Sequence, residues 1–471
     1  MDPDPVDTGP VDTGPVDGFA DAMNRAAAAA IAFRAGVAER PVGVPGDPAG
    51  DGFDGPLPRT GTPAAEVVDA LLAAAEPGLV ASAGPRYFGF VTGGALDAAT
   101  AADVLAAAWD QNAFTAVMSP AAAAAERVAG RWLLELLGLP AGASVGFVTG
   151  AQAANTVGLA AGRHQVLAAA GWDVEERGLA GAPPVRVVVG EERHATVDRA
   201  ARLLGLGRAA LLPVATRPDG ALDVTDLPRV VRGGVPTILC LQAGNVNTGA
   251  CDDLRAAVGI AREHGAWVHV DGAFGLWAAA APGLAHLVDG RELAESWACD
   301  GHKWLNVPYD SGFAICAHPE VHAVALGYTA AYLPGAGSAV LGDLTPESSR
   351  RARGFAVWAA LRELGSDGVA ALVERCCALA RRFADRLSAG GAEIAAPVVL
   401  NQVLVGVGDD ARTDAVITAV QRDGTCWAGG TTWRGRRYVR IAVSNATTTE
   451  ADVDRSAAAI LRAAGRYRSA G

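Results

Sequence analysis

Trp267-Val268-His269-Val270-Asp271-Gly272-Ala273-Phe274-Gly275 and, about thirty residues on, Ser296-Trp297-Ala298-Cys299-Asp300-Gly301-His302-Lys303-Trp304-Leu305-Asn306 decide how this chain is read. Each opens on a short apolar run, Trp267 to Val270 or Trp297 to Cys299, and passes into polar and small residues. Such runs, nearly all apolar rather than alternating, fit strands of a mostly parallel sheet covered on both faces. Ser144 to Val148, Val185 to Val189, Thr237 to Leu241 and Gly312 to Cys316 have the same character. Helical segments lie between most of them, among them Ala154 to Ala170, Val197 to Leu204 and Asp253 to His264, which is the alternation of an α/β sheet. Ligands bind such sheets outside the carboxyl ends of the strands. Thr149-Gly150-Ala151-Gln152, His194, Asn245, Asn247, Asp271 and His302-Lys303 all follow strands and are expected in one cleft.

Lys303 is the only lysine among 39 basic residues; the rest are arginines. A lysine amine can lose its proton and attack a carbonyl, which a guanidinium cannot do. Set in a partly dry cleft near other cationic groups, it should have a lowered pKa. Gly150-Ala151-Gln152 opens a helix, whose free N–H groups bind phosphate without a basic side chain. The segment matches neither the Walker loop nor the Gly-x-Gly-x-x-Gly fingerprint. Asp271 at a strand end either holds a heterocyclic nitrogen protonated or caps a helix. His194, at a strand-to-helix junction, either stacks on a planar ligand or serves as a cap.

The surrounding chain bounds these readings. It has 471 residues, 51% of them hydrophobic, and a net charge of -12, which gives ample core and no basic field for nucleic acid. No apolar run reaches membrane-spanning length, and the acidic, proline-punctuated start lacks an export signal, so a cytoplasmic protein is expected. Seven scattered cysteines without zinc spacing read as reduced, mostly buried thiols. Residues 1–17, with a Pro-Val-Asp-Thr-Gly repeat, read as a disordered extension, and 18–84 as a helical segment too small to bury its own apolar faces. Residues 85–354 form the large domain, and 355–471 a small α+β domain with helices Phe355 to Leu364 and Gly368 to Leu387 and strands near Val398 to Val405 and Tyr438 to Val443.

Taken together, His194, Asp271-Gly272-Ala273, His302-Lys303-Trp304, Ser119-Pro120 and Ser349-Arg350-Arg351-Ala352-Arg353 resemble the pyridoxal-phosphate (PLP) enzymes of fold type I. Within them the chain resembles the group II amino-acid decarboxylases, the family of aromatic-amino-acid and glutamate decarboxylases, over nearly all of its length after residue 18. The resemblance implies an aspartate aminotransferase-like large domain with a seven-stranded, mostly parallel sheet, and pyridoxal 5'-phosphate as cofactor. It implies that Lys303 forms the Schiff base, Asp271 pairs with the pyridinium nitrogen, His194 stacks on the ring and Ala273 packs beneath it. Ala151, Gln152 and His302 would donate to the phosphate, and Asn245 would border the cofactor. The cofactor would supply the electron sink for the bond broken at Cα.

Tyr332 falls where these decarboxylases carry a tyrosine on a mobile loop that protonates the carbanion; related aldehyde synthases tend to have phenylalanine there. Tyr87, Phe88, Asn112 and Phe114 resemble the substrate pocket, Asn112 and Phe114 being contributed across a homodimer interface. Arg440 aligns with an arginine that contacts a carboxylate in glutamate decarboxylases; a structural salt bridge is the alternative. The chain departs from the pattern at Asn245 and Asn247, where many relatives use threonines, and at Gly301, a common proline. The implied reaction converts an L-amino acid to its amine and CO2. Transamination, decarboxylation-dependent aldehyde synthesis and an inactive scaffold are the other readings.

Overall fold

A computed structural model of the chain describes residues 16–43, 50–231, 233–328 and 341–467. Tyr332 and most of the N-terminal repeat lie outside these residues. The first helix, α1 (Val16–Gly36), opens inside the stretch expected to be a disordered extension and packs on α2 (Ala64–Ala75). Next come α3 (Asp97–Trp109) and α4 (Pro120–Leu137), the latter capped by the Ser119 hydroxyl accepting from Ala122 N at 3.2 Å, with Pro120 at its first position.

The large sheet has strands β1 (Ser144–Val148), β2 (Arg186–Gly190), β3 (Leu211–Val214), β4 (Thr237–Gln242), β5 (Trp267–Asp271), β6 (Ser296–Asp300) and β7 (Gly312–Cys316), in the order β1-β7-β6-β5-β4-β2-β3. β6, β5, β4, β2 and β3 run parallel, and β7 is antiparallel to both β1 and β6. The expected strands are therefore present, to within a residue or two at their ends. β3, which lies at one edge, was not among the expected strands: its apolar run Leu211-Leu212 is cut by Pro213, which fits an edge strand. β4, β5, β6 and β7 are buried at every position, which is why they show no alternation. Register places Gln242 beside Asp271 and Asp271 beside Ala298, so the polar residues that end these strands share one edge.

A second, antiparallel sheet follows, with β8 (Glu393–Ile394), β9 (Gln402–Gly406), β10 (Gly429–Trp433) and β11 (Arg436–Ala442) in the order β10-β11-β9-β8. The two helices expected before it are present, spanning Gly354–Ala389 and meeting at a kink at the non-helical Gly365. Gly365 has φ 62° and ψ -179°, a conformation that only glycine adopts cheaply. One hydrophobic core runs from Leu133 and Trp297 under the large sheet to Phe383 and Val439 beneath the second, fixing the two sheets against each other. Arg350 is buried with Glu126; it also donates to the carbonyls of Ala113 at 3.1 Å and Phe147 at 3.0 Å, tying residues 112–114 to β1. Burial pushes the Glu126 carboxyl up to about 7 despite Arg350. All seven cysteines are free thiols and six are buried. Among the described residues no helix is long and apolar enough to cross a membrane.

Candidate active site

The carboxyl edge of the large sheet forms one wall of a cleft of about 900 Å³. Lys303, Asp271, His194, Ala151, Gln152, Ala273, His302 and Arg440 all line it, as does Asn247. They come from separate strand ends: Asp271 closes β5, His302-Lys303 follow β6, and Ala151 begins helix α5 (Ala151–Ala169) directly after β1.

Asp300, the last residue of β6, organises this wall. It is almost wholly buried and lies 2.9 Å from Lys303 Nζ through Oδ2. Its Oδ1 accepts from Ala151 N at 2.6 Å and lies 3.6 Å from His302 Nε2. The lysine was expected to have a lowered pKa, and the structure corrects that expectation. Burial does push the amine down, but the carboxylates of Asp300 and Asp271 outweigh it and the net shift is upward. Asp300 was legible as a polar strand end, yet the adjoining His302-Lys303 drew the reading past it.

The first intrahelical bond of α5 runs from Ala154 N to Gly150 O, so Gln152 and Ala153 N–H have no intrahelical acceptor. A Cβ at residue 150 would come within 2.8 Å of the His302 ring and 3.2 Å of Asp300, so glycine keeps this cradle open. The Gln152 side chain is turned away, donating to Thr196 O at 3.3 Å; its backbone N–H is the donor left for a phosphate. His302 Nδ1 accepts from Ser311 N at 3.2 Å, and burial lowers the pKa of its ring.

His194 is both a cap and a cleft residue, so the two readings of it coexist. Its Nδ1 accepts from Thr196 N at 3.3 Å at the start of helix Ala195–Leu203, while the ring lies open on the cleft wall. Burial lowers its pKa; Asp271 opposes this and Lys303 and Arg440 reinforce it. Arg440, in β11, donates to Val246 O at 3.0 Å and has no carboxylate partner among the described residues. Burial brings its guanidinium down to about 10. The structure thus shows no salt bridge for Arg440 and leaves a cation facing the cleft.

Other expected residues fall elsewhere. Asn245 is buried outside the cleft: its amide donates to Glu192 O at 3.1 Å and its oxygen accepts from Asn247 N at 2.8 Å, so the side chain is spent on its own turn. Phe88 faces the core against the edge of Phe383. Tyr87 stacks on Trp427 with ring centroids 5.0 Å apart, behind the lining rather than in it. Asn112 accepts from Phe114 N and Arg350 N, and neither Asn112 nor Phe114 lines this chain's cleft. The opposite wall is instead built by Phe90, Val91, Trp427, Thr431 and Arg437. Phe90 and Val91 have φ of 53° and 55°, a turn that aims the segment at the cleft and that no residue type announces.

A primary amine beside a buried carboxylate, a second carboxylate closing the next strand and a helix N-terminus with free N–H groups fit one cofactor, and the fold that presents them is PLP fold type I. Residues 53–405 match the family model described as the pyridoxal-dependent decarboxylase conserved domain, and the chain belongs to that family. It is a PLP-dependent amino-acid decarboxylase. It is 28% identical to tryptophan decarboxylase 1 of Oryza sativa subsp. japonica, covering 79% of each chain. It is 25% identical to 4-hydroxyphenylacetaldehyde synthase of Rhodiola rosea, covering 80% of each. Among solved structures, Oryza sativa TDC with PLP and tryptamine superposes with a TM-score of 0.88 at 24% identity, over 97% of this chain and 99% of that one.

Proposed function

We propose that the protein converts an L-amino acid to the corresponding amine and CO2, with Lys303 as covalent anchor of PLP. The convergence of Lys303, Asp271 and His194 on one cleft from three separate strand ends supports this reading. When bound, PLP supplies the electron sink for the bond broken at Cα. Asp271 would hold the ring nitrogen protonated, the Gln152 N–H and His302 would receive the phosphate, and His194 would cover the ring face; the Ala151 N–H is already given to Asp300. Arg440 draws in an amino acid through a carboxylate, since it faces the cleft with no ion-pair partner among the described residues. Tyr332 returns a proton to Cα, which separates an amine-forming enzyme from the aldehyde synthases among its relatives.

The site is shared in a homodimer. Asn112 and Phe114 sit away from their own chain's cleft, and beside them Val117 and Met118 are 76% and 54% exposed, an apolar surface that suits a second copy. Mass spectrometry of products from a panel of aromatic, acidic, branched and basic amino acids tests the reading. An amine is expected from wild type and a larger share of aldehyde from Tyr332→Phe; an aldehyde or keto acid as the main wild-type product overturns it.

A further inference from the structure

A line of hydrogen bonds crosses the interior behind the cleft and ends on His194. Trp267 Nε1 donates to Ser296 Oγ at 2.9 Å, and Ser296 Oγ lies 2.9 Å from His269 Nδ1. His269 Nε2 lies 2.8 Å from Asn155 Oδ1, Asn155 Nδ2 donates to Thr196 Oγ1 at 3.1 Å, and Thr196 Oγ1 lies 2.9 Å from His194 Nδ1. Ser296, His269 and Asn155 are fully buried, and nothing in the cofactor's binding or in the proposed reaction requires a histidine at position 269. The space is reserved for it: a Cβ on Gly158 of α5 would come within 2.4 Å of the His269 ring.

Both ends of the line have fixed polarity. An indole N–H can only donate, so Ser296 accepts from Trp267, and its own proton has no acceptor among the described residues except His269 Nδ1. His269 therefore carries its proton on Nε2 and gives it to Asn155 Oδ1. It stays neutral, because burial brings its pKa down to about 3. The Asn155 NH2 then faces Thr196, whose hydroxyl accepts there and donates to His194 Nδ1. At the other end the Thr196 backbone N–H, also a pure donor, points at the same Nδ1. The two directions agree.

We infer that Asn155, Thr196 and His269 are positioning residues that fix His194 as the neutral tautomer with its proton on Nε2. His194 then meets the cleft as a hydrogen-bond donor and has no lone pair free to act as a base. Nε2 has no acceptor among the described residues, so this N–H is held for a cofactor oxygen or a substrate carboxylate. The inference builds on the reading of His194 as a cleft group, but its test does not depend on which reaction is catalysed.

The test is 15N NMR of the full-length, PLP-loaded protein with labelled histidine at about pH 8, where imidazoles are neutral, using His194→Gln to assign the signal. Wild type should show a pyridine-type Nδ1 and a pyrrole-type Nε2 for His194. In Asn155→Asp the new carboxylate accepts from both His269 and the Thr196 hydroxyl, which turns that proton away from His194 and moves the signals toward a tautomer mixture. Thr196→Val, at the more accessible end of the line, should move them the same way, and Thr196→Ser should leave them as in wild type. Turnover should follow, with kcat down about tenfold in Asn155→Asp, as for other outer partners of a functional imidazole, and KM little changed. A wild-type His194 protonated on Nδ1, or wild-type signals in both Asn155→Asp and Thr196→Val, overturns the inference. If the tautomer is as stated but no amine forms, the proposed reaction fails and this inference stands.

Discussion

The two walls of the cleft are made differently. The sheet wall takes Asp271, Asp300, His302 and Lys303 from the ends of two neighbouring parallel strands, buried at every position and held in register by the ladder. The facing wall is gathered from Phe90 and Val91, from Trp427 and Thr431, and from Arg437 and Arg440, segments more than three hundred residues apart in sequence. A strand end has its neighbours fixed by the sheet, so its side chain is placed before any ligand arrives. The facing wall depends on loops, an αL turn at Phe90 and the seating of the second sheet. The sheet wall should therefore carry the chemistry and the facing wall the choice of substrate, a division that substitutions can break.

The largest expected effect is on the sheet side. Lys303→Ala should abolish the absorbance of lysine-bound PLP and lower kcat/KM by about 10⁴-fold, roughly 5 kcal/mol of transition-state stabilisation. A visible spectrum and turnover like wild type would show that the wall is not where the cofactor is anchored.

Arg440→Gln addresses the facing wall. The guanidinium has no carboxylate partner among the described residues, so its loss should leave the fold intact, with an unchanged melting temperature, and raise KM by about thirtyfold, roughly 2 kcal/mol, for a substrate whose carboxylate it receives. A change in kcat alone would place Arg440 with the chemistry and blur the division.

Asp300→Asn has the smallest expected effect and the most specific one. Burial lowers the pKa of Lys303 and the Asp300 carboxylate raises it, with the second prevailing. Removing that charge leaves burial less opposed, so the amine should lose its proton at lower pH. The pH midpoint for PLP capture, followed by absorbance, should fall by about one unit. A midpoint that rises or stays fixed would show that Asp300 does not control the lysine.

The same division separates what could be read from the chain and what could not. Strand ends were readable because burial on both faces leaves runs such as Trp297 to Cys299 without polar interruption, and the residue that ends each run is marked by contrast. Lys303, Asp271, His194 and Ala151 were found this way. Asn245 was misplaced because a polar residue after a strand also serves its own turn, and only the hydrogen bonds show which use prevails. Phe88 was misplaced because a shift of two residues in a loop decides between core and cleft, and Phe90 is the one turned outward.

By itself, then, the sequence determined the parallel sheet and the polar residues at its carboxyl edge, because periodicity and composition record burial locally, and the cofactor followed from the resemblance of its motifs to the PLP enzymes of fold type I. Only the tertiary structure decided that Asp300 also accepts from Ala151 N at the start of α5, that Arg440 faces the cleft without an acid among the described residues, and that His194 is wired through Thr196 and Asn155 to a histidine in the core. Those are relations between residues on different elements. Their energies depend on distance and on the water excluded between them, and no single stretch of chain carries either quantity.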